Sequence, residues 1–112
     1  MIRIKLPDLN DFIIQTTIDL VIYKFHFSWN DRGQYWTFEI MDQQKNLLLG
    51  RIKCVPNYNV LPQFQNEYLP EGAIIFMHYN KKATTINRDD FKNGLAEFLY
   101  LTKLEVDALG TV

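Results

Sequence analysis

A chain of 112 residues with 47% apolar and 14% aromatic content has enough material to bury a core, which excludes a disordered segment. Twelve basic against thirteen acidic side chains leave a formal charge of −1, so no field gathers a nucleic-acid backbone or an anionic membrane surface. The single cysteine, Cys54, excludes an intramolecular disulfide and a cysteine-based zinc site.

In chain order, Ile2, Ile4 and Leu6 alternate with Arg3 and Lys5 before Pro7-Asp8, a short strand with the charge and proline of a sheet edge. The same alternation differs from the continuous apolar segment of a signal peptide, and a soluble, cytoplasmic life is expected. Residues 12–20 are rich in β-branched side chains and predict a second strand, with Asp19-Leu20-Val21 as the turn after it. Tyr23, Phe25, Phe27 and Trp29 then recur at every second position, and after Asn30-Asp31-Arg32-Gly33-Gln34 so do Trp36, Phe38 and Ile40. This is the pattern of an antiparallel hairpin with its aromatics on one face, able to stack across the pair. Asp42-Gln43-Gln44-Lys45-Asn46 ends that strand, and residues 47–55 predict another, with Gly50 marking a bulge or close approach.

Pro56-Asn57-Tyr58-Asn59 and Pro62 break the pattern, while Val60, Leu61 and Phe64 are expected to tuck this loop onto the core. Leu69-Pro70-Glu71-Gly72 reads as a turn. Residues 74–79 are apolar on both faces and predict a central strand. After the polar loop 80–85, Asn87 is expected to cap one helical turn through Phe91, stopped by Asn93-Gly94. The last strand is expected over 96–104, and the end of the chain as a frayed tail. The whole reads as one all-β domain over 1–112, with its core in 1–104 and the tail in 105–112. Its architecture is a small antiparallel barrel or sandwich of about seven strands with one short helical turn.

Chemistry-bearing residues are sparse. His26 lies on the polar side of the aromatic strand and His78 in an apolar strand. Neither has a carboxylate or second histidine two residues away, so no metal site is expected. Asp89-Asp90 could divide acid and base roles or hold a hard cation, but adjacent residues of a helical turn diverge and Arg88 is a simpler partner. Cys54 lacks a helix N-terminus or histidine to activate it and reads as a core thiol. The scattered glycines form no phosphate loop. Exposed aromatics such as Tyr35 and Tyr58 leave a second class open, a β-barrel binding module for carbohydrate or single-stranded nucleic acid.

Several segments in this order resemble the plug family of contractile-tailed phage baseplates, of the cyanophage type. They are Phe25-His26-Phe27-Ser28-Trp29-Asn30, Tyr35-Trp36-Thr37-Phe38-Glu39-Ile40, Leu49-Gly50-Arg51-Ile52-Lys53-Cys54-Val55-Pro56, Leu69-Pro70-Glu71-Gly72 and Asn87-Arg88-Asp89-Asp90-Phe91, closed by the strand over 96–101. The likeness runs over roughly residues 1–102, and departs from the usual pattern at Cys54 and in the lysine-rich loop after Tyr79. It implies a structural protein of the virion tail baseplate without enzymatic activity or cofactor. Such a protein is assembled in the host cytoplasm beside hub, spike and tail-tube proteins, with self-association around the tail axis possible. Contact surfaces are expected in the loop 56–65 and the turn 87–91, on Asn57, Tyr58, Phe64, Arg88, Asp89 and Asp90, with the aromatics as anchors.

Overall fold

The computed structural model describes residues 1–61 and 68–110. Among these the chain forms β1 (Ile2–Ile4), β2 (Asp11–Ile18), β3 (Val21–Asn30), β4 (Tyr35–Met41), β5 (Leu47–Lys53), β6 (Ala73–His78), β7 (Ala96–Leu101) and α1 (Lys103–Gly110). The strands build two antiparallel sheets, a four-stranded one in the order β2-β3-β4-β5 and a three-stranded one in the order β1-β7-β6. The fold is an all-β sandwich, not a closed barrel.

The aromatic hairpin has the expected register. Phe27 pairs with Phe38 and Trp29 with Trp36, with ring centroids 5.8 and 5.5 Å apart. Tyr23, Phe25, Phe27, Trp36, Phe38 and Ile40 are all buried. The second sheet supplies the facing layer. Phe98 meets Phe25 at 5.2 Å edge to face, and Phe76 meets Phe38 at 5.2 Å, so aromatic pairs from both sheets interlock in the middle of the sandwich.

The turn between β2 and β3 is tighter than expected. Ile18 pairs with Val21, leaving only Asp19 and Leu20, both at positive φ (51° and 67°), the backbone a two-residue hairpin of this twist requires. In β5 the pairing with β4 shifts register on either side of Ile40, consistent with Gly50 as a bulge position. The strand stops at Lys53, short of the expected residue 55.

After β5 the chain crosses to the other sheet. The Cys54 amide donates to the Trp36 carbonyl (2.8 Å), and the amides of Asn57 and Val60 donate to the carbonyls of Phe76 (2.9 Å) and Ile74 (3.0 Å). This crossing strip bridges β6 and covers its edge. It also explains why β6 is apolar on both sides without being central: β7 holds the middle of its sheet. Val60 and Leu61 are buried against the core as expected, whereas Phe64 lies outside the described residues.

The end of the chain departs from the expectation of a strand to residue 104 and a frayed tail. The strand ends at Leu101 and α1 follows. Thr102 and Glu105 form a reciprocal capping box: the Thr102 amide donates to Glu105 Oε1 (3.0 Å) and the Glu105 amide to Thr102 Oγ1 (3.2 Å). The Met1 ammonium donates to the other Glu105 oxygen, and Val106 packs on Ala73, Leu99 and Leu101 on the outer side of the three-stranded sheet. At 87–91 the chain forms turns and no helix.

Candidate contact surface

Both loops expected to carry contacts converge on the last residue of β6. The His78 amide donates to Asn57 Oδ1 (2.8 Å), fixing the first loop, in which Asn57 takes a φ of 66°. The Asn80 amide donates to His78 Nδ1 (3.0 Å), so that nitrogen is the acceptor and Nε2 carries the proton. Nε2 in turn donates to Asp90 Oδ2 (3.0 Å), which also accepts from the Asn87 amide (2.8 Å). The expected cap is therefore inverted: the carboxylate of Asp90 reaches back to Asn87, in place of the Asn87 side chain capping the turn. The Asp90 carbonyl then accepts from the amides of Leu95 (2.9 Å) and Ala96 (3.0 Å), leading the chain into β7.

This arrangement sorts the expected surface residues. Asp90 is 5% exposed and bonded inward. Asn57 is half-buried with its side chain spent on β6. Arg88 is also half-buried, its guanidinium 5.4 Å over the Trp36 ring and paired with Asp8 (3.0 Å) and Asp89 (3.5 Å), while its Nε donates to Asn10 Oδ1. It ties the turn to the segment between β1 and β2. Tyr58, at 71% exposure, and the side chain of Asp89, at 62% and beside Arg88, face solvent. Tyr35 is half-buried, its hydroxyl accepting from Asn30 Nδ2 (3.0 Å) and its ring 5.1 Å from Lys53 Nζ.

A cluster not anticipated from sequence lies on the outer side of the four-stranded sheet. His26 bonds Glu39 Oε1 through Nδ1 (2.9 Å) and Asp11 Oδ1 through Nε2 (2.8 Å), with Arg51 3.8 Å from Glu39. Burial disfavours the charged imidazole, but the two carboxylates outweigh it and raise its pKa above the ordinary value. Its hydrogen bond to His26 lowers that of Asp11. Both ring nitrogens are occupied on opposite sides, so His26 offers no free ligand atom. Among the described residues no group of three or more His, Cys, Asp or Glu side chains is placed to hold a metal ion. Cys54 is fully buried, and desolvation pushes its thiol well above the usual range, as a core thiol should be.

A cavity of about 590 Å³ opens where β1 ends and β7 begins, floored by Ile4, Leu6, Phe91 and Phe98. Its rim carries two ion pairs, Arg3 with Glu97 (3.4 Å) and Lys92 with Asp8 (3.3 Å), together with Lys5. No described helix is long and apolar enough to cross a membrane.

Against known families, the model described as "Cyanophage baseplate Pam3 plug gp18" matches residues 1–103. The match spans every strand of the sandwich and ends at the first residue of α1. No curated protein matches the chain.

Proposed function

The chain belongs to the cyanophage baseplate plug family, and from that membership we propose that it serves as a plug at the central hub of a phage tail baseplate. There it helps close the tail tube and seed assembly, as one β unit without enzymatic activity. A structural role in the baseplate, and with it a place in the virion tail, follows from the family itself; assembly takes place in the host cytoplasm. The observation that carries the reading is the extent of the match, residues 1–103 of 112.

The physical properties of the chain suit the role. An aromatic core interlocked between two sheets resists deformation. The loop around Tyr58 and the turn around Asp89 are held to one strand end through His78, so a partner meets a pre-organised surface at little ordering cost. Tyr58 is the anchor for hub, spike or tail-tube proteins, because exposed aromatics dominate interface energetics. Arg88, Asp89 and Phe64 complete the contact set, and copies of the chain associate around the tail axis.

The test is affinity capture of tagged protein from lysate of its source system, with mass spectrometry and electron microscopy of what accompanies it. Recovery within a tail assembly containing hub or spike proteins, lost on Tyr58→Ala with Asp89→Lys, is the expected result. A lone chain bringing down glycans or nucleic acid, or a turnover that Asp89→Ala abolishes, overturns the reading.

A further inference from the structure

We propose that the outer edge of β2 docks the β2 strand of a second copy of this chain, antiparallel, across a two-fold axis. The proposal rests on the strand's own geometry and stands independently of the baseplate role.

In an antiparallel ladder, successive residues alternate between bonding the partner strand and turning their amide and carbonyl away. The Trp29 amide bonds the Asn10 carbonyl (2.7 Å), and the register runs unbroken from Asp11↔Ser28 to Ile18↔Val21. Phe12, Ile14, Thr16 and Ile18 therefore face β3, and Asp11, Ile13, Gln15 and Thr17 direct their main-chain groups outward. No described group takes up the outward amides. The same four side chains are exposed.

The other edges are guarded. β1 spans three residues and carries Arg3, with Lys5 and Pro7 following. β6 is covered by the crossing strip. β5 carries Gly50, Arg51, Lys53 and a register shift. Lysine, proline, shortness and bulges are the devices that keep edges from pairing. β2 has none of them: it runs eight residues as Asp-Phe-Ile-Ile-Gln-Thr-Thr-Ile, and its one charge, Asp11, is already bonded to His26.

Charge selects the occupant and the register. A strongly charged strand would find no counter-charge along this edge, whereas a second β2 is itself nearly neutral and β-branched. With the axis through Ile14, Asp11 lies opposite Thr17 and Ile13 opposite Gln15, while Ile14 meets Ile14 and Phe12 meets Thr16 on the inner side. Shifting the axis to Gln15 would set Asp11 opposite Asp19, a like-charge pair that the first register avoids. The result is an isologous interface that joins two four-stranded sheets into one.

Sedimentation equilibrium on the purified chain reads the outcome. Wild type is expected at the mass of two 13.3 kDa chains. The double variant Ile13→Lys/Gln15→Lys, which sets lysine against lysine in this register at exposed positions, is expected as a monomer with unchanged circular dichroism. Amide exchange supplies the local readout. With nine copies in ten paired, Ile13, Gln15 and Thr17 exchange roughly tenfold more slowly than in dilute protein, since only the unpaired copy exchanges. Phe12, Ile14 and Thr16 stay protected at both concentrations. A wild type that remains monomeric overturns the proposal. So does a dimer that survives the double variant, or one that leaves the amides of Ile13, Gln15 and Thr17 unprotected.

Discussion

The imidazole of His78 and the carboxylate of Asp90 meet at 3.0 Å in the buried end of the sandwich, linking the last residue of β6 to the turn that launches β7. Because the Asn80 amide occupies Nδ1, the proton on Nε2 is directed at Asp90, and the pair acts as a clasp between two segments distant in sequence. Removing either partner leaves a buried polar group without its bond, which costs more than the bond itself contributes.

Asp90→Ala is accordingly expected to destabilise the fold by about 2–3 kcal/mol, the range for an unsatisfied buried partner of a charged group. Its neighbour gives the control. Asp89 projects into solvent, and Asp89→Ala is expected within about 0.5 kcal/mol of wild type. Urea unfolding of the two variants separates them, and equal midpoints would show that the clasp carries no stability.

Gly72 packs where no side chain fits. A β-carbon there would lie 1.9 Å from the Leu101 carbonyl oxygen and 2.6 Å from the Tyr100 hydroxyl. That hydroxyl accepts from the Gly72 amide (3.0 Å) and donates to Asp19 (2.6 Å), tying the segment before β6 to the hairpin turn of the other sheet. Gly72→Ala must displace backbone, and roughly 3 kcal/mol or more of stability is expected to be lost, measured as a fall in the thermal midpoint and in protection of the Ile74 amide.

The parts of this architecture visible in the sequence are those set by local period. Alternation alone locates the aromatic hairpin, and pairing Asn30 with Tyr35 across its turn places His26 opposite Glu39 by counting. That contact follows from pairing across the strands and is invisible to spacing along a single strand. Asp11 is harder to see, since it sits diagonally to His26 and needs the two-residue turn at Asp19 and Leu20 to be recognised without a glycine. The capping box Thr102-x-x-Glu105 was equally present in the sequence, and is obscured by an apolar strand that runs straight into it. The burial of Asp90 was not legible. It depends on His78 arriving from the neighbouring part of the fold, which no local pattern encodes. Among the expected contact residues, this is what separates Tyr58 and Asp89, which stay exposed, from Asn57 and Asp90, which the fold uses.

Leu20 adopts a φ of 67° while 97% exposed, so it bears the steric cost of a left-handed backbone with no packing in return. Glycine occupies that region freely. Leu20→Gly is expected to raise stability by up to about 1 kcal/mol. An unchanged or lower denaturation midpoint would show that the turn is unstrained.

The His26 cluster gives the fold a pH dependence whose sign is set by geometry. Since its carboxylate partners raise the folded pKa of His26, its contribution is fully present below the unfolded value of about 6.5 and is lost as pH rises through the folded value. Asp11 is shifted the other way, so its contribution is present above its unfolded value of about 3.9 and is lost as pH falls through the folded value. The cluster therefore stabilises most between about pH 4 and 6.5. Asp11 is two-thirds exposed, its side chain at 66%, and solvent screening holds the effect to about 0.5–1 kcal/mol. Urea midpoints at about pH 5.5 and about pH 8.5 should fall more for wild type than for His26→Gln, which cannot carry the charge. Equal falls would place the origin of any alkaline loss outside the three residues His26, Asp11 and Glu39.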